Sequence, residues 1–414
     1  MSRNAVSIDV TLAMGGRDIL AGRAFLSSNR GRVTTVFRYD SSYLASKGAF
    51  PLDPALPLFE GSHAIQDGLP FAFADSAPDR WGRNLIRKRL QSVGPDGARR
   101  EVTDIDYLLE VSDATRQGAL RFTVASENSD EKFLAGHADV TKLIELPRLL
   151  AACDRVVGDG DLAAIKELLD AGAGSLGGAR PKASVRDGGR LLIAKFSSLR
   201  DEWDVIAWEK TALDLAERAG ITVPGRRLER IAGRSVLLLD RFDRTPDGAR
   251  IPYLSAMSLL TARDGNTAAF NYLDLAEAVA EYGAETVRAD LVELWRRAIF
   301  SVAIHNTDDH LRNHGFLRAD GGWAPSPVFD INPNPDIGVR RELAIGVGID
   351  PADEILALRE VAPSFGVDRL VAEEILNEVF NATRLWRECA GINGLPAREL
   401  RLMEDAFAPR FSLR

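Results

Sequence analysis

The sequence has few cysteines and no long apolar run. Cys153 and Cys389 are the two cysteines among 414 residues, and they lie too far apart for a metal-binding motif. We therefore expect no disulfide framework, and a reducing cytoplasm fits this usage. No run of about 18 apolar residues occurs, and the first residues lack the apolar core of a signal peptide. We expect a soluble cytoplasmic protein without a membrane span.

Acidic residues outnumber basic residues in the chain. The chain has 52 Lys and Arg residues against 60 Asp and Glu residues, which gives a net charge of −8. A protein that coats nucleic acid by itself needs a basic face, so direct DNA binding is not expected. The hydrophobic content of 45% is ordinary for a globular protein, and the length allows two or three domains.

The predicted elements follow the order of a kinase small lobe and large lobe. A Gly-rich stretch at 172–178 precedes strands with a lysine, a helix at 203–219 and a mainly helical region from about residue 268. We predict an α+β, kinase-like two-lobe fold with an N-terminal β-rich subdomain and a mostly helical C-terminal lobe. The predicted domains are an N-terminal subdomain at 1–125, a small-lobe region at 150–245 and a helical C-terminal lobe at 246–414.

The strongest local signal is the segment 306–314, NTDDHLRNH. Its Asp308 and Asn313 are five residues apart, which is the spacing of a kinase catalytic loop, where Asp accepts the hydroxyl proton and Asn binds Mg²⁺. Alone the spacing is weak, because a solvated loop at a helix end would look the same. His310 and His314 with the neighbouring aspartates also allow a zinc site.

Two residues outside this segment bear on the choice. Asp330 ends an apolar β-like run. It could be a second ligand of Mg²⁺ at the end of a strand, or it could simply form a turn. Lys195 lies in an apolar run, where a buried ammonium group needs a partner such as a phosphate and a helical carboxylate. Glu209, on the next predicted helix, is the candidate carboxylate. An outward-facing lysine on an edge strand is the alternative.

The Gly-rich stretch could cradle phosphates through backbone N–H groups. It lacks the Walker pattern, and a plain linker is the competing interpretation. Arg180 and Lys182 place positive charge beside it, and Ser175 in its middle could accept a phosphate. The phosphate interpretation is therefore favoured.

Taken in order, these motifs resemble the HipA family of bacterial toxin kinases. The resemblance runs over nearly the whole chain. The segments that carry it are 73–82 (FADSAPDRWG), 112–120 (SDATRQGAL), 175–182 (SLGGARPK), 240–244 (DRFDR), 307–313 (TDDHLRN) and 329–331 (FDI).

The resemblance implies a role for each matching residue. Asp308 would be the catalytic base, His310 would support the loop, and Asn313 and Asp330 would hold Mg²⁺. Ser175 would be autophosphorylated. The residues implied in ATP binding are Lys195, Lys182, Glu209 and, at the adenine hinge, Asp240 and Phe242. The best-known family member has glycine at Asp309 and glutamate at Asp240, and we expect Asp309 to be a bystander.

The resemblance also implies a function. The protein would transfer the ATP γ-phosphate to a serine of a protein, by family an aminoacyl-tRNA synthetase, and so cause growth arrest or persistence. Phosphorylated Ser175 would switch the kinase off. A HipB-like helix-turn-helix antitoxin would neutralise it and bind DNA on its behalf. The alternatives are a catalytically silent co-repressor that binds its antitoxin and a metal hydrolase built on the His/Asp cluster.

Overall fold

The N-terminal region contains a five-stranded antiparallel sheet. The computed structural model describes residues 5–91, 101–125, 140–158, 160–173, 180–346 and 354–408. The sheet strands are β1 (Ala5–Met14), β2 (Arg17–Asn29), β3 (Arg32–Tyr39), β4 (His63–Ile65) and β5 (Leu120–Val124), in the order β4-β3-β2-β1-β5. Alternation along β1 buries Ile8, Val10 and Leu12. Gly15 and Gly16 both have positive φ, as the tight β1–β2 turn requires.

Helices lie between and after these strands. They are α1 (Ser41–Leu44), α2 (Phe71–Asp75), α3 (Arg80–Gln91), α4 (Asp104–Glu110), α5 (Leu146–Gly158) and α6 (Leu162–Asp170). Residues 73–92 have the sequence pattern of one continuous helix, but the structure has two helices with a break at 76–79. Pro78 lies in this break, and a proline disfavours helical geometry at the residue before it.

A second sheet has the strand order β6-β7-β9-β8. Its strands are β6 (Lys182–Asp187), β7 (Arg190–Phe196), β8 (Arg226–Ile231) and β9 (Arg234–Asp240). The antiparallel β6–β7 hairpin turns at Gly188 and Gly189, and β8 and β9 are joined by Ala232 and Gly233, both with positive φ. In both hairpins, β-like runs of sequence flank a short turn that contains glycine, which is the pattern that predicts a hairpin.

The C-terminal half is mainly helical. Helix α7 (Val205–Arg218) begins at its N-cap Asp204, which accepts a 3.0 Å hydrogen bond from the Ala207 N–H, and it ends before Gly220. The later elements are β10 (Tyr253–Ser255), α8 (Ala256–Leu259), α9 (Tyr272–Tyr282), α10 (Val287–Ala303), β11 (Gly315–Ala319), β12 (Gly322–Pro325), α11 (Glu354–Val361), α12 (Arg369–Thr383), α13 (Trp386–Ile392) and α14 (Ala397–Leu402).

The chain divides into two compact units. The first consists of residues 1–200, 231–234 and 238–254, and the second of residues 201–230, 235–237 and 255–414. The predicted α+β class, with a β-rich N-terminal region and a mostly helical C-terminal part, is confirmed. The domain limits at 1–125, 150–245 and 246–414 stay a prediction. Among the described residues, no helix has the length and apolarity to cross a bilayer.

Candidate active site

Helix α10 leads into the segment that carries Asp308. After the helix, His305 adopts a φ of 52°, a left-handed conformation that is uncommon for a residue other than glycine. Asn306 and Thr307 are buried, Asp308 is exposed, and Asp309 is only 4% exposed. The backbone here therefore presents the carboxylate of Asp308 to solvent and directs that of Asp309 into the protein.

Asn313 closes this loop. It ends the 3₁₀ turn Leu311–Asn313, and its Nδ2 donates a 2.8 Å hydrogen bond to the main-chain carbonyl of Asp308. The five-residue spacing seen in the sequence is thus a direct contact. Because the amide nitrogen faces the carbonyl, Oδ1 of Asn313 is the atom that remains for a cation.

Asp330 acts on Asp308 electrostatically. Partial burial raises the pKa of Asp308, the carboxylate of Asp330 raises it further, and His310 opposes the rise. Asp330 itself has a φ of 56°, and such backbone strain in a non-glycine residue is concentrated at functional sites. The carboxylate of Asp330 and the amide oxygen of Asn313 are hard oxygen donors, which is the kind that Mg²⁺ prefers.

Buried polar atoms without a partner lie in the same part of the chain. They include Nδ1 of His310 and Oδ1 of Asn332. A buried polar group that is left without a hydrogen bond costs stability. Such atoms in the segments of Asp308 and Asp330 fit a site that holds a polar ligand or a hydrated cation, and the donor set is compatible with Mg²⁺.

Asp309 is not a bystander, and that interpretation of the sequence was wrong. Its Oδ1 accepts a 2.9 Å hydrogen bond from Nε2 of His314. Its Oδ2 accepts bonds of 2.7 Å each from the hydroxyls of Tyr272 and Ser301, with Arg341 at 3.4 Å. Burial disfavours the charged form, but His314 and Arg341 outweigh it and hold the pKa of Asp309 well below its ordinary value. Asp309 anchors the loop that presents Asp308.

The segment 341–343 also holds the loop in place. Nη1 of Arg341 donates to the carbonyl of Asn306 at 2.8 Å, and its Nε donates to Glu354 at 2.9 Å. The N–H groups of the next two residues donate to the carbonyls of Thr307 and Asp309, at 3.1 and 3.0 Å. No local pattern pointed to Arg341, because it lies 32 residues from its partner Asp309.

In the first unit, Lys182 and Lys195 form a direct cross-strand pair. They are opposite residues in the β6–β7 register, and they are 3% and 5% exposed. Directly opposite residues share one face of a sheet, and like charges in such positions are destabilising. Two buried ammonium groups on one face fit an anionic ligand such as a polyphosphate. The structure thus places together two residues that the sequence predicted separately.

The other predicted residues lie in different places. Asp240 ends β9 with its side chain 40% exposed and 3.4 Å from Arg190, and Phe242 follows it in the first unit. Glu209 belongs to the second unit, on α7, and is 1% exposed. Its pairing with Lys195 stays a prediction. Ser175 and the central part of the Gly-rich stretch lie outside the described residues.

Comparison with family models gives two matches. The HipA-like C-terminal domain matches residues 174–386, and the HipA N-terminal domain matches residues 18–123. The first model alone covers more than half of the chain. The chain belongs to the HipA family. Asp308, Asn313, Asp330, Lys182 and Lys195 all lie within the C-terminal HipA match.

One solved structure supports the HipA fold, and a second is similar over part of the chain. The HipA–HipB–operator DNA complex of the Shewanella oneidensis MR-1 toxin–antitoxin system matches with a TM-score of 0.67 and 16% identity, over 97% of this chain and 95% of that chain. The Helicobacter pylori proinflammatory kinase CtkA has a TM-score of 0.34 and 15% identity, over 55% of this chain and 94% of that chain. No curated protein matched the chain.

The zinc interpretation of the His/Asp cluster finds no geometric support in this HipA family member. Within the described ranges, no group of three or more His, Cys, Asp or Glu side chains is placed to hold a metal ion. His314 is directed at Asp309. The pair Asn313 and Asp330 is a different donor set, since a magnesium site completes its coordination with water and phosphate oxygens.

Proposed function

We propose that this protein is an Mg·ATP-dependent toxin kinase that phosphorylates a protein serine or threonine. The observation that carries the proposal is the contact of Asn313 with Asp308, beside the carboxylate of Asp330, within the HipA-like C-terminal domain. A base and two oxygen ligands for Mg²⁺ are the parts that phosphoryl transfer requires.

Each residue then has a defined task. Asp308 orients the acceptor hydroxyl and takes its proton, and His310 supports the loop. Asn313 and Asp330 hold Mg²⁺, whose charge together with that of Lys182 and Lys195 offsets the charge of the ATP phosphates. Lys195 and Glu209 are both assigned to ATP binding, and Asp240 and Phe242 to the adenine. Mg·ATP supplies the transferable γ-phosphoryl group, and the protein contributes positioning and charge stabilisation.

The raised pKa of Asp308 is consistent with this task. A carboxylate is a weak base for a hydroxyl, and burial together with the neighbouring Asp330 makes Asp308 a stronger one. The exposure of Asp308 leaves room for an incoming protein segment. The buried Asp309, one residue further on, fixes the direction of the loop.

The partners follow from the family. We propose a HipB-like helix-turn-helix antitoxin, because the similar Shewanella oneidensis HipA was solved with HipB and operator DNA. DNA would be reached through that antitoxin, in keeping with the net charge of −8. We propose that the protein acts in the cytoplasm, with an aminoacyl-tRNA synthetase as its substrate and growth arrest or persistence as the outcome. Autophosphorylation of Ser175 would add negative charge beside Lys182 and limit the activity.

The test is incubation of the purified protein with γ-labelled ATP and Mg²⁺. Label should enter protein serine or threonine in the wild type and be absent in Asp308→Asn, with unchanged circular dichroism. Asp320→Asn, at an exposed aspartate of the β11–β12 turn, is the matched control and should retain transfer. Equal labelling of wild type and Asp308→Asn contradicts the assignment of the base. A folded wild type that binds the antitoxin but never transfers label is the silent co-repressor.

A further inference from the structure

Asp243, in the DRFDR motif, is the centre of a buried ion network. It is 1% exposed. Its carboxylate accepts hydrogen bonds of 2.6 Å from both Nε and Nη2 of Arg241 and of 2.8 Å from Nη1 of Arg244. The main-chain N–H of Gly118 donates a further bond of 2.7 Å. One carboxylate therefore joins the DRFDR motif to the turn at 112–120, which is 125 residues away in the chain.

Arg241 and Arg244 also bond directly to the turn at 112–120. Nη1 of Arg241 donates to the carbonyl of Thr115 at 3.0 Å, and Nη2 of Arg244 donates to the carbonyl of Arg116 at 2.8 Å. Asp243 offsets part of their charge, so the cost of burying both guanidinium groups is lowest while this carboxylate is ionised. The network is thus a single unit whose members depend on one another.

Arg116 extends the network into the first N-terminal motif. It is 1% exposed, and its Nη1 donates to the carbonyl of Ser76 at 2.9 Å. Its Nη2 donates to the carbonyls of Leu108 and Val111, and its guanidinium lies over the ring of Phe122. The segments 73–82 and 112–120, which have no task in phosphoryl transfer, are therefore joined to the segment 240–244.

In the sequence, Phe242 lies between Arg241 and Asp243 of this network. Its ring is 6.2 Å from that of Tyr253. Gly118, with a φ of 71°, lies against Tyr253, since a Cβ at this glycine would come within 3.3 Å of the Tyr253 Cβ. The backbone on both sides of Phe242 and the ring beside it are thus held by the N-terminal turn.

We propose that Asp243 is a positioning residue for nucleotide binding. Through Arg241 and Arg244 it fastens the segment 240–242 to the turn at 112–120, so that Phe242 and the backbone of Asp240 are held ready for the adenine. The inference rests on the proposed function and deepens it: the N-terminal HipA domain is a structural part of the nucleotide site. Preorganisation of this kind lowers the cost of binding and leaves the chemical step alone.

The test compares ATP kinetics of Asp243→Asn with those of the wild type. The KM for ATP should rise about tenfold or more while kcat stays within about threefold, because the lost preorganisation affects binding. Arg244→Lys keeps the positive charge but cannot reach both Asp243 and the Arg116 carbonyl, so it should shift KM in the same direction by less. Asp18→Asn, the exposed partner of Arg121, is the control and should leave KM unchanged.

The affinity of each variant for a fluorescent nucleotide is measured as well, and circular dichroism shows whether the variant is folded. If Asp243→Asn does not fold, the KM of Arg244→Lys decides the matter. Wild-type affinity in a folded Asp243→Asn or Arg244→Lys protein overturns this inference alone, as does a fall in kcat without a change in KM. A wild-type protein that binds no nucleotide overturns the proposed function and this inference with it.

Discussion

Nε2 of His314 lies 2.9 Å from Oδ1 of Asp309, and the two side chains are buried together. The ring of His314 also meets that of Tyr272 edge to face, at 5.5 Å, while the Tyr272 hydroxyl donates to the same carboxylate. The loop is thus fixed by the side chain next to Asp308 and not by Asp308 itself. The proposed base is free to face a substrate because its neighbour supplies the anchoring contacts.

The first prediction concerns Asp309→Asn. The substitution leaves the buried donors of His314, Tyr272, Ser301 and Arg341 without their shared carboxylate, which should cost on the order of 3 kcal/mol. The loop would then hold Asp308 less accurately, and a displacement of about 1 Å can lower a rate about 100-fold. Thermal unfolding and the kcat for transfer measure the two effects.

Asp320→Asn, with the same change of charge at an exposed position, should alter neither quantity. The role given to Asp309 is wrong if its variant keeps the wild-type kcat while the unfolding midpoint falls.

The second prediction concerns the coupling of Asp309 with Arg341. Nη1 of Arg341 lies 3.4 Å from Asp309 and 2.6 Å from the Ser301 hydroxyl, so the two charges share one network. A double-mutant cycle of Asp309→Asn and Arg341→Gln should give a coupling energy of about 0.5–3 kcal/mol in stability. Arg359→Gln, whose partner is Glu373, replaces Arg341→Gln in the control cycle and should couple with Asp309→Asn by nearly zero. Additive effects in the first cycle would show that Arg341 does not act through Asp309.

Local pattern was sufficient to predict several elements. The β6–β7 hairpin follows from alternating apolar residues around Gly188 and Gly189, and α7 ends before Gly220 because this residue has positive φ. The spacing of Asp308 and Asn313 likewise corresponds to a contact. These features depend on residues that are close in the chain.

Contacts formed by tertiary packing could not be predicted. Asp309 meets Tyr272 and Arg341, which are 37 and 32 residues away, so its sequence neighbours gave no sign of its role. Asp243 meets Gly118 across 125 residues. In both cases the sequence identifies charged residues, while only the fold determines which of them become buried partners.

The third prediction is that the Asp243 carboxylate makes the stability of the protein depend on pH. Burial favours its neutral form, but Arg241, Arg244 and the Gly118 N–H outweigh burial and hold its pKa well below the ordinary value. A carboxyl group whose pKa is lowered by folding stabilises the protein above its unfolded pKa of about 3.9, and this contribution is lost as the pH falls toward the folded pKa. The unfolding midpoint of Asp243→Asn should therefore be lower than that of the wild type at neutral pH.

The difference between the two proteins should begin to narrow as the pH is lowered toward about 3, because the unfolded wild type then binds a proton at Asp243 that the folded protein does not bind. Asp320→Asn should follow the wild-type curve at every pH. A gap that stays constant from neutral to acid pH would mean that the charge of Asp243 does not contribute to stability.

The fourth prediction concerns Lys195 and its cross-strand partner Lys182. A ligand that binds only the folded protein raises its stability by RT ln(1 + [L]/Kd), about 2.7 kcal/mol at 100 times Kd. Mg·ATP should therefore raise the unfolding midpoint of the wild type, and EDTA should remove most of the effect. Lys195→Met should abolish the shift, because one of the two buried ammonium groups on the shared face of β6 and β7 is lost.

Arg186→Met is the matched control. It makes the same cation-to-methionine change on the same hairpin, at an exposed position of β6. Its midpoint should rise with Mg·ATP as in the wild type, so any general effect of removing a positive charge from the hairpin is accounted for. If Lys195→Met is stabilised by Mg·ATP as strongly as Arg186→Met, Lys195 does not contribute to the binding of Mg·ATP, and the assignment of this residue to the phosphates is wrong.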